Sequence, residues 1–573
     1  MADNPVAVPD QIFANGDSRL PQSSLGYESI KGWAMGTLYY GDNLEILRNE
    51  IASESVDLVY LDPPFNSNAN YNVLFRAPEG HQSHAQMEAF EDTWHWNATA
   101  EKAFDEVMQS GNSDAAEMLR AMRSFLKEND MMAYLAMMAV RLIELHRVLK
   151  KTGSLYLHCD PTASHYLKIL LDSIWGGANF RNEIAWKRTS THSDSKTWSK
   201  VADNIFFYSK SDLFTWRTPR ETHSEDYIQD KFRHDDDDGR GLYQLHDMTS
   251  PNPRPNMMYE WKGFGSPQKG WRFEKVTMQR LDSEDRIWYP KKIDGSLDTS
   301  KRPRIKRYLS EMGGGGVMGT VWTDISPINS QAQERLGYPT QKPVALLERI
   351  LNASSNEGDI VLDPFCGCGT TVHAAQKLNR QWIGIDITHL AISLIQKRLR
   401  DAFPLVQIEV HGVPKDLDGA KALAAQDKYQ FQWWAVSLVD AVPFGNKKKG
   451  ADGGIDGLIY FKPDGKTTEK AIVSVKGGDN VGVGMIKDLI ATVDREKAKM
   501  GLLISLADPT SVMRKEAVTA GYYRTEAQGD FAKIQIVTIE ELLGGKKPQM
   551  PWVSPDVFKR AKREMKGEQQ KLF

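Results

Sequence analysis

Apolar positions along the chain form two alternating kinds of run. Short, nearly continuous runs read as strands buried on both faces, and longer runs with apolar residues at helical spacing read as helices packed on one side. The first half predicts a strand at 35–40, a helix at 44–50 and a strand at 56–61, ended by Pro63 and Pro64. A helix at 131–149 follows, stopped by Lys150-Lys151-Thr152-Gly153, then a strand at 154–158, a helix at 163–175 and strands at 182–187 and 204–208. Residues 66–75, rich in Asn and Tyr, read as a loop before helices. Periodicity fades over 209–325 and returns as a helix at 344–352, a strand at 359–363, a helix at 372–378 and a strand at 382–385. After a Lys-, Ala- and Asp-rich link beyond Val413 comes a second unit: helix 429–442, strands 453–460 and 471–476, helix 486–497 and strand 501–505. Strands alternating with helices predict an α/β protein with right-handed crossovers.

This pattern divides the chain into a loose polar arm at 1–30, an α/β half at 31–208, an irregular insertion at 209–325, a second α/β half at 326–412, a small α/β unit at 425–550 and a basic tail at 551–573. A chain of 573 residues is too long for one core, and 41% hydrophobic content with 10% aromatics is that of a globular protein. The net charge of -3 means that any contact with nucleic acid must come from local basic patches. The first residues lack the order of a signal peptide, and the apolar run 131–140 meets Arg141 too early to span a bilayer, so no membrane role is expected. Three cysteines, Cys159, Cys366 and Cys368, fit a reduced cytoplasmic protein.

The chemistry gathers at strand ends. Asp62-Pro63-Pro64-Phe65 is a rigid corner offering a carboxylate, a peptide carbonyl and an aromatic ring at the carboxyl edge of a sheet, where ligands bind in such folds. Two acceptors holding the hydrogens of an exocyclic nucleobase amine would free its lone pair, and Phe65 could stack on the base. Asp42 follows the first strand and either caps a helix or faces a ligand. In the second half, Asp363 ends a strand that breaks into Pro364-Phe365-Cys366-Gly367-Cys368-Gly369-Thr370-Thr371. Its glycines allow close backbone approach, and Asp386 at the end of the next strand can accept ribose hydroxyls. The third glycine of a dinucleotide fingerprint is missing, so a nucleoside without pyrophosphate, such as S-adenosylmethionine, fits better. The insertion interleaves aromatic and basic residues (Trp216, Arg217, Trp261, Lys262, Trp271, Arg272, Arg304, Lys306), a mix suited to phosphates and bases. The run 235–238 of four aspartates reads as a solvated turn.

Gly41-Asp42, Asp62 to Phe65, 154–160, 182–186, Tyr338 to Pro343, Asp363 to Thr371 and Gly384 to Ile387 occur in that order over about 35–400. In this the chain resembles the permuted (β) class of DNA amino-methyltransferases of restriction-modification systems. The resemblance implies a Rossmann-like methyltransferase fold with an inserted target-recognition region. It also implies a catalytic corner of Asp62, Pro63, Pro64 and Phe65. Asp363, Phe365, Gly367, Gly369, Thr370 and Asp386 would hold S-adenosylmethionine, with Lys342 near its carboxylate and Asp42 near its adenine. Double-stranded DNA would be the substrate, with N6 of adenine favoured over N4 of cytosine by Asp at position 62. A homodimer or a restriction subunit as partner, and a bacterial, archaeal or phage cytoplasm as setting, follow from the same resemblance.

The last unit, about 429–545, resembles nucleases of the PD-(D/E)xK, Mrr-type, restriction-endonuclease-like fold, with Gly454-Ile455-Asp456-Gly457 on one strand and Lys476 on the next. That implies a divalent ion such as Mg2+ on Asp456 and Lys476 acting on the attacking water. Ser474 stands where that family carries an acid or glutamine, and serine is a poor ligand for a hard cation. The unit is therefore either a nuclease or a binding remnant, and Asp452, Asp479 and Gln432 are the residues that could compensate.

Overall fold

The computed structural model describes residues 36–63, 95–191, 196–221, 225–312, 315–329, 332, 334–336, 338, 340–444, 454–464, 467–526 and 528–551, and the backbone of 70–76 and 82–91. Pro64, Phe65 and Asp452 lie outside the described residues.

A nine-stranded sheet organises the first 411 residues, in the spatial order Val321–Trp322, Phe180–Lys187, Ala202–Ser209, Leu149–Cys159, Val56–Leu61, Ile360–Asp363, Gln381–Asp386, Gly36–Tyr40, Ile408–His411. All its pairings are parallel except the two made by Ala202–Ser209. The two centre strands, Val56–Leu61 and Ile360–Asp363, come from opposite ends of this unit and pair in register Leu58 with Val361. Alternation along the strands feeds two apolar layers: Val59, Leu61, Leu155 and Leu157 point into one, Leu58, Tyr60 and Tyr156 into the other. Helices Asp130–Val148 and Ser164–Trp175 cover the first layer, and Val344–Ser354 and His389–Ala402 the second. Because the six central and flanking parallel strands run the same way, Asp42, Asp62, Asp160, Asp363 and Asp386 emerge on one edge.

Three readings of the pattern need correction. Asn70–Arg76, expected as part of a loop, is a strand paired antiparallel with the strand Gln82–Glu91; alternation there was hidden by polar Asn and Gln. The insertion is not an open aromatic surface. It folds on its own core around a three-stranded sheet, with Trp261 and Trp271 inside that core, so these rings are unavailable to bases. Lys306 is also buried, pinned between Asp236 and Asp285 at 2.6 and 2.8 Å, so the aspartate run supplies a structural ion pair as well as a turn.

The last unit has a five-stranded sheet in the order Val442–Pro443, Gly457–Phe461, Glu469–Lys476, Met500–Ser505, Ile534–Thr538. The expected link before it is instead a helix, Leu417–Gln426, whose Ala420 and Leu423 join that core. The following helix, Lys428–Ser437, ends five residues earlier than its apolar run suggested, because the backbone turns at Leu438 to enter the edge strand Val442–Pro443.

Candidate functional site

The carboxyl edge of the large sheet opens into a cavity of about 280 Å3. Its walls include Asp42, Tyr60, Asp62, Lys342, Asp363, Phe365, Gly367, Thr370 and Asp386. The sequence therefore named most of the wall. Gly369 is not part of it: with φ +73° it starts the helix Thr370–Lys377, and a methyl there would sit 2.8 Å from Ile395. Its role is to turn the chain, for which glycine is the residue without strain.

Asp62 leaves the strand Val56–Leu61 half-buried, with Pro63 buried behind it. Its Oδ2 accepts from Lys342 Nζ at 2.5 Å, with both side chains mostly covered. Lys342 thus pairs with the corner carboxylate across the cavity, which the sequence reading, assigning it to a cofactor carboxylate, did not foresee. Beneath the corner lies a buried chain: Tyr60 Oη and His158 Nδ1 are 2.8 Å apart, His158 Nε2 and Asp203 Oδ2 3.2 Å, and Arg188 Nε reaches Asp203 Oδ1 at 3.1 Å. Burial alone would raise the Asp203 carboxyl, but its bond to His158 and the cations Lys342 and Arg188 outweigh that and hold it below the usual range.

Opposite, Asp363 and Asp386 end neighbouring strands. Asp363 accepts from Phe365 N at 3.0 Å; Asp386 accepts from Gly367 N at 2.9 Å and from Thr388 through both N and Oγ1 at 2.9 Å. Burial pushes Asp363 up to about 7 and Asp386 up to about 6, against hydrogen bonds that pull the other way. Tyr338 is buried against Gly367, its ring 3.3 Å from where a side chain on that glycine would start.

Asp42 caps a helix, the first of the two roles its position allowed, and lines the cavity. Its Oδ1 caps the helix Asn43–Asn49, accepting from Leu44 N at 2.8 Å, while Oδ2 accepts from Arg141 Nη2 at 2.9 Å. Arg141 also donates through Nε to Asn43 Oδ1 at 2.6 Å, and Asn43 donates to Pro364 O at 2.8 Å. This network ties the first strand's loop to the Asp363 turn. Sequence reasoning used Arg141 only as an interruption of an apolar run; an arginine at the centre of an otherwise apolar helix was itself the signal, since such a charge is buried only with partners.

In the last unit Asp456 is buried and both its oxygens are engaged by neutral donors, Gln432 Nε2 at 2.6 Å and Val475 N at 2.6 Å. Ser474 and Lys476 lie on the adjacent strand, Ser474 buried. Gln432 is thus a partner of Asp456. Among the described residues, the acidic or histidine groupings close enough to share a metal ion do not include Asp456.

The fold and cavity define an α/β protein in which the strand-end carboxylates Asp363 and Asp386 and the acidic corner at Asp62 line one cavity. The DNA methylase family profile of N6 and N4 amino-methyltransferases matches residues 56–397, and the chain belongs to that family. It is 32% identical over 269 residues to Type II methyltransferase M.EcaI of Enterobacter cloacae, covering 46% of this chain and 57% of that protein. It is 24% identical over 356 residues to the Type III restriction-modification enzyme StyLTI Mod subunit of Salmonella typhimurium strain LT2, covering 60% of this chain and 50% of that one. The chain thus spans little more than half the length of these relatives. Among solved structures, PvuII DNA methyltransferase (cytosine-N4-specific) aligns at 12% identity and TM-score 0.32, covering 64% of this chain and 86% of that one. Residues 437–544 match a second profile, described as NACHT-associated inactive restriction endonuclease 1. No helix among the described residues is long and apolar enough to cross a membrane.

Proposed function

We propose that the chain transfers a methyl group from S-adenosylmethionine to the exocyclic amine of a base flipped out of double-stranded DNA, with N6 of adenine as the target. The observation that carries this reading is the meeting, in one cavity, of the Asp62 corner with the Asp363 and Asp386 strand ends. The cavity's chemistry fits the cofactor: the buried carboxylate of Asp363 and the half-buried one of Asp386 suit a cationic, hydroxyl-bearing nucleoside, and the wall at Phe365 suits its adenine. Bound there, S-adenosylmethionine supplies an electrophilic methyl on sulfur.

The chain's own groups do the rest. Asp62 and the Pro63 carbonyl accept the two amine hydrogens, which localises the nitrogen lone pair toward the methyl. Positioning of this kind removes roughly 7–11 kcal/mol of barrier when the groups are well aligned. The proton leaves the nitrogen once it is alkylated, so no strong base is required; Lys342, paired to Asp62 at 2.5 Å, holds that carboxylate in place. Flipping costs a few kcal/mol, to be repaid by contacts of the insertion with the DNA backbone. A restriction subunit or second copy as partner belongs to the same reading. Incubating the protein with unmethylated genomic DNA and S-adenosylmethionine, then sequencing for both marks, tests it: N6-methyladenine in one short motif is expected. N4-methylcytosine would overturn the adenine assignment, and no mark on DNA would overturn the substrate.

Cofactor affinity should depend on pH. Burial raises Asp386 to about 6, and only its ionised form accepts two ribose hydroxyls, so binding is strongest above that value and weakens as pH falls through it. Once Asp386 is mainly protonated, affinity should drop roughly tenfold per pH unit. Calorimetry between pH 5 and 8 reads this; Asp386→Asn should remove the fall centred near 6 and leave the one from Asp363, which burial raises to about 7.

For the last unit we propose a binding remnant and no Mg2+-dependent cutting. Both Asp456 oxygens are already engaged, and the neighbouring strand offers serine where a second acid would be needed. Plasmid incubated with the protein and Mg2+ or Mn2+ should remain intact; cleavage lost in Asp456→Ala would overturn this.

A further inference from the structure

The helix Lys428–Ser437 packs Phe431 and Trp434 into the core of the last unit, yet another of its side chains packs against residues that line the methyltransferase cavity. Trp433, 5% exposed, forms one apolar cluster with Tyr338, Cys368 and Leu390, against which Leu394 packs. Tyr338 and Cys368 are themselves cavity walls, and Cys368 lies within the turn that follows Asp363. Leu390 and Leu394 belong to the helix His389–Ala402, which begins three residues after Asp386. Three residues before Trp433 on the helix Lys428–Ser437, Gln430 accepts from His389 N at 3.2 Å, satisfying one of the amide donors that every helix start leaves open. On its other side Gln432 donates to Asp456.

We propose that this helix completes the methyltransferase cofactor site, with Trp433 a positioning residue that holds Tyr338 and the Cys366–Thr371 turn in the shape that binds S-adenosylmethionine. The proposal rests on the reading of the cavity as the S-adenosylmethionine site. The physical reasoning is that Tyr338 has no strand or helix of its own. Among the described residues, its ring packs against Gly367 on the cavity side and against the cluster with Trp433 on the other. Removing the indole would leave a void behind a wall that the irregular backbone cannot hold in place. The last unit is therefore part of the methyltransferase, whatever else it binds, because the helix whose Gln432 holds Asp456 also props a wall of the cofactor cavity.

The test uses the full chain. Trp433→Ala should weaken S-adenosylmethionine about tenfold by calorimetry, in line with the coupling seen between packed neighbours. At saturating cofactor, kcat and the KM for DNA should stay near the wild-type values, and Trp433→Phe should recover most of the affinity. In parallel, hydrogen exchange of the wild-type protein should show amides of 428–437 slowing with those of 364–371 when S-adenosylmethionine is added. An unchanged binding constant in Trp433→Ala, or lowered kcat at unchanged affinity, overturns the proposal. So does exchange in 428–437 that ignores the cofactor, a readout that stands even where Trp433→Ala does not fold. A wild-type chain that binds no S-adenosylmethionine overturns instead the reading of the cavity on which the proposal rests.

Discussion

Asp62→Ala is expected to lower methyl transfer by roughly 10³-fold at saturating S-adenosylmethionine, the order seen when one preorganised polar group aimed at the reacting atoms is removed. Cofactor affinity should change little, because the carboxylates assigned to the nucleoside are Asp363 and Asp386, on other strands. The variant also strips Lys342 of its partner at 2.5 Å, leaving an ammonium that is mostly buried facing the place where the amine must enter. A cation there repels the positive charge that develops on the alkylated nitrogen, so the two effects act in the same direction. Asp62→Asn keeps one acceptor and should fall between the wild type and the alanine variant. Transfer of labelled methyl to DNA, with calorimetry of S-adenosylmethionine on the same samples, separates chemistry from binding; transfer at near wild-type rate in Asp62→Ala would remove the corner from the mechanism.

The second large effect is on stability. Arg141→Ala should cost about 3 kcal/mol or more, the range for breaking one side of a buried ionic network. Its guanidinium is buried and donates to Asp42, Asn43 and the Met137 carbonyl, and through Asn43 the network continues to Pro364 O. Burial lowers the Arg141 pKa from its ordinary value, while Asp42 opposes that shift, so the charge survives on its partners. Arg141→Lys should restore little, since one ammonium cannot reproduce a fork that meets three acceptors. Urea unfolding gives the loss, and a change in Arg141→Ala below about 1 kcal/mol, the scale of an exposed pair, would mean the network is peripheral.

Much of this architecture was legible in the residue order. The run Val56–Leu61 ended by two prolines can only be a strand that stops, and Asp363 followed by a glycine-bearing turn can only re-enter a helix after a tight corner. Asp42, Asp62, Asp363 and Asp386, which line the cavity, were accordingly named from strand ends. What escaped notice were groups whose partners are far along the chain. Lys342 meets Asp62 across 280 positions, Arg141 meets Asp42 across 99, and Asp203 meets His158 from an antiparallel strand. The insertion misled for a related reason: Trp261 and Trp271 among lysines and arginines look like a nucleic-acid surface, yet a short segment with its own core must spend its largest apolar rings inside it.

By itself, then, the sequence determined the local chemistry: which strands end in acids, where the chain must turn, and that an Asp-Pro-Pro-Phe corner and a glycine-bearing turn after Asp363 are both present, since these depend on neighbours within a few residues. Tertiary structure alone decided that Val56–Leu61 and Ile360–Asp363 lie side by side, that a lysine and an arginine from distant segments set the charge of the cavity, and that Trp433 of the last unit stands behind Tyr338. Strand pairing and burial are long-range choices, settled by which apolar faces can be covered together, and no local pattern of residues carries that information.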